Sequence, residues 1–292
     1  MNGSPLPDGS LGIGWRREIC GMVAALDGIG FCEVIAESLA VGNSGRRRRA
    51  AVTVPEELGE LVARGIPAVP HGVSLSLGGA EVVDDRRVAH LAECARALGS
   101  PMVSEHIAFV RAGGLEAGHL LPVPRTREAL DALERNIFRA SRQLDVPLAV
   151  ENIAALFEWP DAEYTEAEFL QELVERTGVY LLLDIANVYA NARNTSRDPL
   201  TELLRLPAER VAYCHIAGGH ESDGRYIDTH VHQVQAEVRV RVGEFATRPP
   251  VHRQVDRDRK NPPANQNAPD HKAKDPAAGR APITLRTAAI PA

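Results

Sequence analysis

Five apolar runs in this 292-residue chain each stop on a residue able to bind a metal or move a proton. Ala68-Val-Pro ends on His71, Met102-Val-Ser-Glu on His106, Leu148-Ala-Val on Glu151, Tyr180-Leu-Leu-Leu on Asp184, and Val211-Ala-Tyr-Cys on His215. Asn187 follows Asp184 by three residues, and Asp228-Thr-His230 adds two more such groups. Histidines mixed with carboxylates suit iron, manganese or zinc better than magnesium or calcium. This many donors could hold more than one ion, and a carboxylate such as Glu151 is suited to bridge. Shared ligation would also keep neighbouring carboxylates from repelling one another in a dry site.

Each residue also has an ordinary role open to it, since a lone histidine at a strand end is commonly a hydrogen-bonded structural group. The recurrence is what points to a site. Glu105 precedes His106 and, by the two-residue period of a strand, is expected on the opposite side, free to pair with an arginine on an outer helix. Phe31-Cys-Glu-Val-Ile-Ala-Glu37 reads as a further strand that ends on an acid. Asp228 and His230 would project to one side if extended, and His232 could continue that face. His220 fits the mouth of a site or solvent equally. His90 and His119 are weak candidates, and His252 and His271 fall in a polar tail.

To gather these residues, the chain must bring several strand ends to one place. Leu11-Gly-Ile-Gly is a first short strand. Between Asp84 and Leu98, Val88, Leu91 and Ala95 recur at helical spacing. From Thr126 to Leu144, Leu130, Leu133, Ile137 and Phe138 are predicted to share a helix face. Thr165-Glu-Ala-Glu168 is a capping box, in which the threonine and the glutamate each satisfy a free amide at a helix start. Seven strands alternating with helices, over crossovers long enough for parallel pairing, predict a TIM-like (β/α)8 barrel over residues 1–256, with all strand ends on one face. The eighth strand is doubtful. No leucine lies between Leu206 and Leu285, eight of the twenty prolines lie at 249 or later, and the lysines are Lys260, Lys272 and Lys274. Residues 257–292 bury too little apolar surface to offset their ordering entropy and are predicted to be a disordered tail.

Composition narrows the partners. The net charge is -6, with a sequence pI near 6.0, and this argues against nucleic acid. The run Arg46 to Arg49 reads as a solvated loop face. No apolar run reaches the roughly 18 residues of a membrane span, and the first residues lack a signal-peptide order, so the expected location is the cytoplasm. Cys20, Cys32, Cys94 and Cys214 show no C-x-x-C spacing and are expected to be free thiols, mostly buried.

The motifs His71-Gly-Val-Ser-Leu-Ser-Leu-Gly, Ser104-Glu-His106, Leu121-Pro-Val-Pro, Val150-Glu151-Asn152, Asp184-x-x-Asn187-x-Tyr189, Asn191-Ala-x-Asn194, His215-Ile-Ala-Gly and Asp228-Thr-His230 together resemble the multinuclear non-heme iron-dependent oxidative enzymes. That barrel family includes the methanobactin-biosynthesis iron enzyme, and the resemblance runs from about residue 11 to 232. It implies two or three iron ions and dioxygen, used to modify cysteines of a ribosomally made precursor peptide, often with a small partner protein that presents the peptide. It also implies a metal shell of His71, His106, Glu151, Asp184, Asn187, His215, Asp228 and His230, with Glu151, Asp184 and His230 at the reacting centre.

The sequence departs from the family's pattern in three places. Ala186 stands where an asparagine is usual, and Gly218-Gly219 doubles a single glycine. The expected eighth-strand acid has no clear counterpart in Pro250 to Asp256, where Asp256 or Asp258 would have to substitute. Two other readings are open. One is a divalent-metal isomerase or hydrolase of the xylose-isomerase or endonuclease type, using zinc or manganese; the absence of any lysine before Lys260 counts against the isomerase. The other is a degenerate or truncated member without catalysis.

Overall fold

A computed structural model of the chain describes residues 4–7, 9–42, 51–230, 232–236, 238–239 and 287–289. In chain order the elements are β1 (Leu11–Trp15), α1 (Cys20–Ala24), β2 (Ile29–Ile35), β3 (Val41–Gly42), β4 (Ala51–Val52), α2 (Glu56–Ala63), β5 (Ala68–Gly72), α3 (Asp85–Leu98), β6 (Val103–His106), β7 (Ala108–Ala112), β8 (Leu115–Pro122) and α4 (Arg127–Ser141). They continue with β9 (Leu148–Glu151), α5 (Glu166–Thr177), β10 (Tyr180–Asp184), α6 (Ile185–Asn194), α7 (Pro199–Leu204), β11 (Val211–Ile216), β12 (Gly219–Ser222), β13 (Arg225–Asp228) and β14 (Thr287–Ala289).

Eight of these strands form a closed parallel ring in the order β1, β2, β5, β6, β9, β10, β11, β14, and helices cover its outside. The predicted (β/α)8 barrel is therefore the fold. Its closure differs from expectation. Thr287–Ala289 pairs with Leu11–Ile13 on one side and Cys214–Ile216 on the other, so these three residues fill the place of the eighth strand. The physical reason is that the edges of β1 and β11 offer rows of unpaired backbone groups, which a segment can satisfy with its own backbone whatever its side chains. Thr-Ala-Ala carries no acid, so the expected last ligand is not on this strand. The rest of 257–292, Pro250 to Asp256, Asp258, His252, His271 and Arg46 to Arg49 lie outside the described residues.

The inside of the ring is layered with a period of two. Phe31, Val69, Met102, Ala149, Leu182 and Tyr213 form a buried apolar floor. Two residues farther along the same strands stand Glu33, His71, Ser104, Glu151, Asp184 and His215, all buried. Alternation thus lifts a polar layer directly onto an apolar one, which keeps water away from the polar groups from below. Leu6 of the N-terminal segment packs into the same floor, and the Ser4 hydroxyl donates to the Ala212 carbonyl at 3.0 Å.

The helices start as the sequence predicts. Thr165 and Glu168 form the capping box, and Thr126 caps α4. On α4, Leu130, Leu133 and Ile137 are buried, whereas Phe138 is exposed, because one further residue turns the side chain about 100° away from the core face. Asn136 clamps a neighbouring loop from inside, donating to Leu77 and Gly79 carbonyls and accepting from the Val83 amide.

Candidate metal centre

Seven of the eight residues expected at the site converge at the C-terminal mouth of the ring. They form three overlapping clusters: His71, His106 and Glu151; Glu151, Asp184 and His215; and Asp184, Asp228 and His230. Glu151 belongs to the first two and Asp184 to the last two. Glu151 Oε2 lies 3.4 Å from His71 Nε2 and 3.3 Å from His106 Nε2, while its Oε1 lies 3.0 Å from His215 Nδ1. Asp184 Oδ2 lies 3.8 Å from His215 Nδ1 and 3.4 Å from His230 Nε2, which is 2.6 Å from Asp228 Oδ2.

The local sequence explains each placement. Asp184 is both the last residue of β10 and the N-cap of α6, so its Oδ1 accepts from the Asn187 amide at 2.8 Å and only Oδ2 is left for the site. Asn152 ties two strand ends together, accepting from the Asp184 amide at 2.9 Å and donating to its carbonyl at 3.0 Å. Along α6, Asn187, Asn191 and Asn194 form a row at spacings of four and three. They donate to the carbonyls of Asn152, Ile153 and Tyr226, so one helix face holds the loops on either side of the mouth. Asn187 is thus placed beside the clusters, with its amide nitrogen committed to Asn152.

Asp228 and His230 reach the same cluster, but not by strand alternation. β13 ends at Asp228, and His230 has φ +56, a left-handed conformation that costs a histidine about 1–3 kcal/mol and turns its ring back into the mouth. Glu105 also differs from expectation. It is buried and accepts from the Ser74, Leu75 and His106 amides rather than from an arginine. A Cβ at Gly72 would come within 2.7 Å of its Oε2 and would push the carboxylate away from these amides.

A sequence profile of the RiPP precursor modification enzymes MbnB/TglH/ChrH matches residues 10–275. The chain belongs to this family. It is 53% identical over 244 residues to a UPF0276 protein of Streptomyces avermitilis, a match that covers 81% of the chain and 48% of the relative. It is 34% identical over 239 residues to a UPF0276 protein of Caulobacter vibrioides, covering 80% and 81%. The chain therefore spans about half the length of the Streptomyces relative. Endonuclease IV from Thermus thermophilus has the same fold, with TM-score 0.51 and 22% identity over 80% of this chain and 84% of that one.

Against the pattern of these RiPP enzymes, the departures gain physical content. Ala186 is buried on α6 between Asp184 and the asparagine row. The doubled glycine begins the β12–β13 hairpin. A Cβ on Gly218 would collide with the His232 carbonyl, and one on Gly219 with that of Ile227. His220 and His232 stack on this hairpin, with ring centroids 4.6 Å apart, outside the three clusters. His119 lies on β8 and lines the cavity above them, and His90 meets the Ala36 carbonyl at 2.9 Å.

The donor set fits a metal. Among the described residues, Glu151 Oε2, Asp184 Oδ2 and Asp228 Oδ2 are buried with no partner other than the imidazole nitrogens that face them. A bare buried carboxylate oxygen is costly unless a cation meets it. Electrostatics agrees. Burial pushes Asp184 up to about 7, and Glu151 and Asp228 add to the push against His230 and His215. Burial lowers His106, but Glu151 and Glu105 outweigh it and hold the ring up to about 9. Burial alone would raise Glu151, yet the charges of His215 and His106 keep it well below the carboxylate range. Protons on imidazoles thus supply positive charge where an ion would.

The reading from sequence missed Glu33 and Tyr213. Glu33 is buried, with His215 Nε2 3.0 Å away and the Tyr213 hydroxyl donating to it at 2.5 Å. The sequence offers only the two-residue period from Phe31 to Glu33, which does not tell the inner face of the strand from the outer. Glu37, the acid expected at that strand end, lies in a short helical turn and accepts from the Val73 amide at 3.1 Å. Above the clusters lies a cavity of about 850 Å³, walled by Leu156, Phe157, Ile227 and Tyr226 and by Arg16, Arg125 and Arg225.

Proposed function

We propose that the protein is a multinuclear non-heme iron-dependent oxidative enzyme that uses dioxygen to modify cysteine residues of a ribosomally synthesised precursor peptide. The observation that carries this reading is the run of three overlapping donor clusters sharing Glu151 and Asp184, with bare oxygens, on a chain of the RiPP-modification family. His71, His106 and Glu151 would hold one ion, Glu151, Asp184 and His215 a second, and Asp184, Asp228 and His230 a third, with Asn187 beside them. Bound iron would supply the capacity to bind a thiolate and activate dioxygen.

The chain's own residues do the rest. Asn152 and the asparagine row of α6 hold the strand ends and loops in register, which keeps the donors aimed. The apolar floor excludes water from beneath, and the cavity is large enough for a short peptide segment. Leu156, Phe157 and Ile227 are exposed at its wall and offer apolar contact to such a segment. Cys32, Cys94 and Cys214 are buried, and burial raises their thiols, so these would not compete with a substrate thiol. A small partner protein that presents the peptide belongs to the same proposal. Among the described residues, no helix is long and apolar enough to cross a membrane.

The test is metal analysis and mass spectrometry on protein purified without oxygen and reconstituted with ferrous iron. More than one iron per chain, and an oxygen-dependent mass change on a cysteine of a short peptide encoded beside the gene, are the expected results. Less than one iron per chain would overturn the metal reading. A peptide changed equally without oxygen would overturn the oxidative one.

A further inference from the structure

A continuous chain of hydrogen bonds runs beneath the clusters and joins two of them. His71 Nδ1 is 2.9 Å from Ser104 Oγ, Ser104 Oγ is 2.8 Å from the Tyr213 hydroxyl, and Tyr213 is 2.5 Å from Glu33 Oε2. Glu33 in turn sits 3.0 Å from His215 Nε2 through either carboxylate oxygen. All five residues are buried, Glu33 being the most exposed at 4%, and every link is a direct contact between side chains.

The direction of each bond follows from the donor count of each group. A carboxylate only accepts, so Tyr213 donates its single proton to Glu33. The Tyr213 oxygen must then accept from Ser104. Ser104, its proton spent, must accept from His71 Nδ1. His71 is therefore protonated on Nδ1 and turns a bare Nε2 toward Glu151 Oε2. At the other end, His215 donates from Nε2 to the same carboxylate, which leaves Nδ1 as the ligand atom facing Glu151 and Asp184.

We infer that Glu33, outside all three clusters, is the positioning residue that sets which ring nitrogen both His71 and His215 present to metal. The two rings thereby offer opposite nitrogens, Nε2 and Nδ1, under the control of one carboxylate. His106 provides an internal contrast. Its Nδ1 faces the Gly72 carbonyl at 3.2 Å and Glu105 Oε1 at 3.5 Å, so the proton on that nitrogen is held by acceptors outside the chain of bonds and does not depend on Glu33. The inference rests on the metal reading for its purpose, but the proton order itself belongs to the metal-free chain.

The experiment is ¹⁵N-histidine NMR of the whole chain, metal-free and loaded with zinc, on wild type, Glu33→Gln and Tyr213→Phe, with zinc affinity measured alongside. In wild type, His71 should be the Nδ1–H form in both states, and zinc-loaded His215 the Nε2–H form. Glu33→Gln puts an NH2 donor where one carboxylate oxygen stood, against either His215 Nε2 or the Tyr213 hydroxyl, so the arm that faces the NH2 must reverse; His71 or His215 should change tautomer while His106 does not. Zinc affinity should fall about tenfold or more, in the range seen when a ligand's outer partner is removed. Tyr213→Phe cuts only the His71 arm and should mix the His71 tautomers with His215 unchanged, which decides the matter if Glu33→Gln does not fold. An Nε2–H His71 in wild type, or a folded Glu33→Gln with wild-type tautomers and affinity, would overturn the inference. If wild type takes up no zinc or iron, the metal reading fails instead, and the His71 tautomer of the metal-free chains still decides the role of Glu33.

Discussion

The barrel mouth and the helix layer use the same acidic residues in opposite ways. In the helix layer, carboxylates meet guanidinium groups near solvent: Arg139 with Asp85 at 2.6 Å, Arg176 with Asp131 and Glu172 at 2.7 Å each, and Arg96 with Asp145 at 2.9 Å. At the mouth, Glu151 and Asp184 are sealed from solvent, and among the described residues their only cationic neighbours are imidazoles. Two of the three arginines on the cavity wall are engaged elsewhere, since Arg125 pairs with Glu158 and Arg225 donates to the Leu156 carbonyl. A surface pair is complete in itself and contributes little. The buried clusters are incomplete without added positive charge, and that incompleteness is the functional signal.

The largest test of this contrast is Glu151→Gln, which removes the charge shared by two clusters. Iron bound after reconstitution should fall to about one ion per chain or less by elemental analysis, since removing a shared ligand disables both of its sites. Undiminished iron would mean that the mouth is no more dependent on its acids than the helix layer is. Asn152→Ala should come next in size. It strips the buried amide and carbonyl of Asp184 of their partner at about 1–3 kcal/mol for each group left unpaired, and thermal unfolding should drop by roughly 2–4 °C per kcal/mol.

pH sharpens the comparison further. Asp184 titrates near 7 in the folded chain against 3.8 ordinarily, and His106 near 9 against 6.5. Both folded-state values are raised, so the native protein binds more protons, and stability is lost as pH rises through about 7 and then about 9. The metal-free protein should therefore melt at a lower temperature at pH 9.5 than at pH 6 in calorimetry. Added zinc should reverse the trend, because metal and protons compete for the same donors. A metal-free Tm that rises over that interval would contradict the assigned burial of these groups. The smallest effect belongs to the helix layer, where Arg139→Ala should leave the midpoint of chemical denaturation almost unchanged.

Much of this arrangement was legible in the chain. His71, His106, Glu151, Asp184 and His215 each close an apolar run, and a parallel ring sends every such end to one face. Thr165 and Glu168 announced a helix start through their spacing alone. Glu33 was not legible as a site residue, because it lies inside its strand, and the level at which it stands relative to His215 is set by the stagger of the ring. Strand alternation sends Glu105 outward, where an arginine is the expected partner, yet the loop after β5 brings the Ser74 and Leu75 amides to it. His230 was read as part of an extended pair, and a left-handed turn does the work instead. Thr287–Ala289 carries no pattern in its three small residues and owes its place to the backbone edges on either side.

By itself, the sequence determined the alternation of strands and helices, the acids and histidines at the strand ends, and the caps, since these depend on neighbours within a few residues. Only the tertiary structure decided which oxygens of Glu151, Asp184 and Asp228 stay bare, that two carboxylates are shared among three clusters, and that one acid on β2 orders the protons of two histidines on other strands. Those facts depend on the stagger, twist and closure of the ring. These bring together residues as far apart as Glu33 and His215, separated by 182 positions in the chain, at a distance no local pattern encodes.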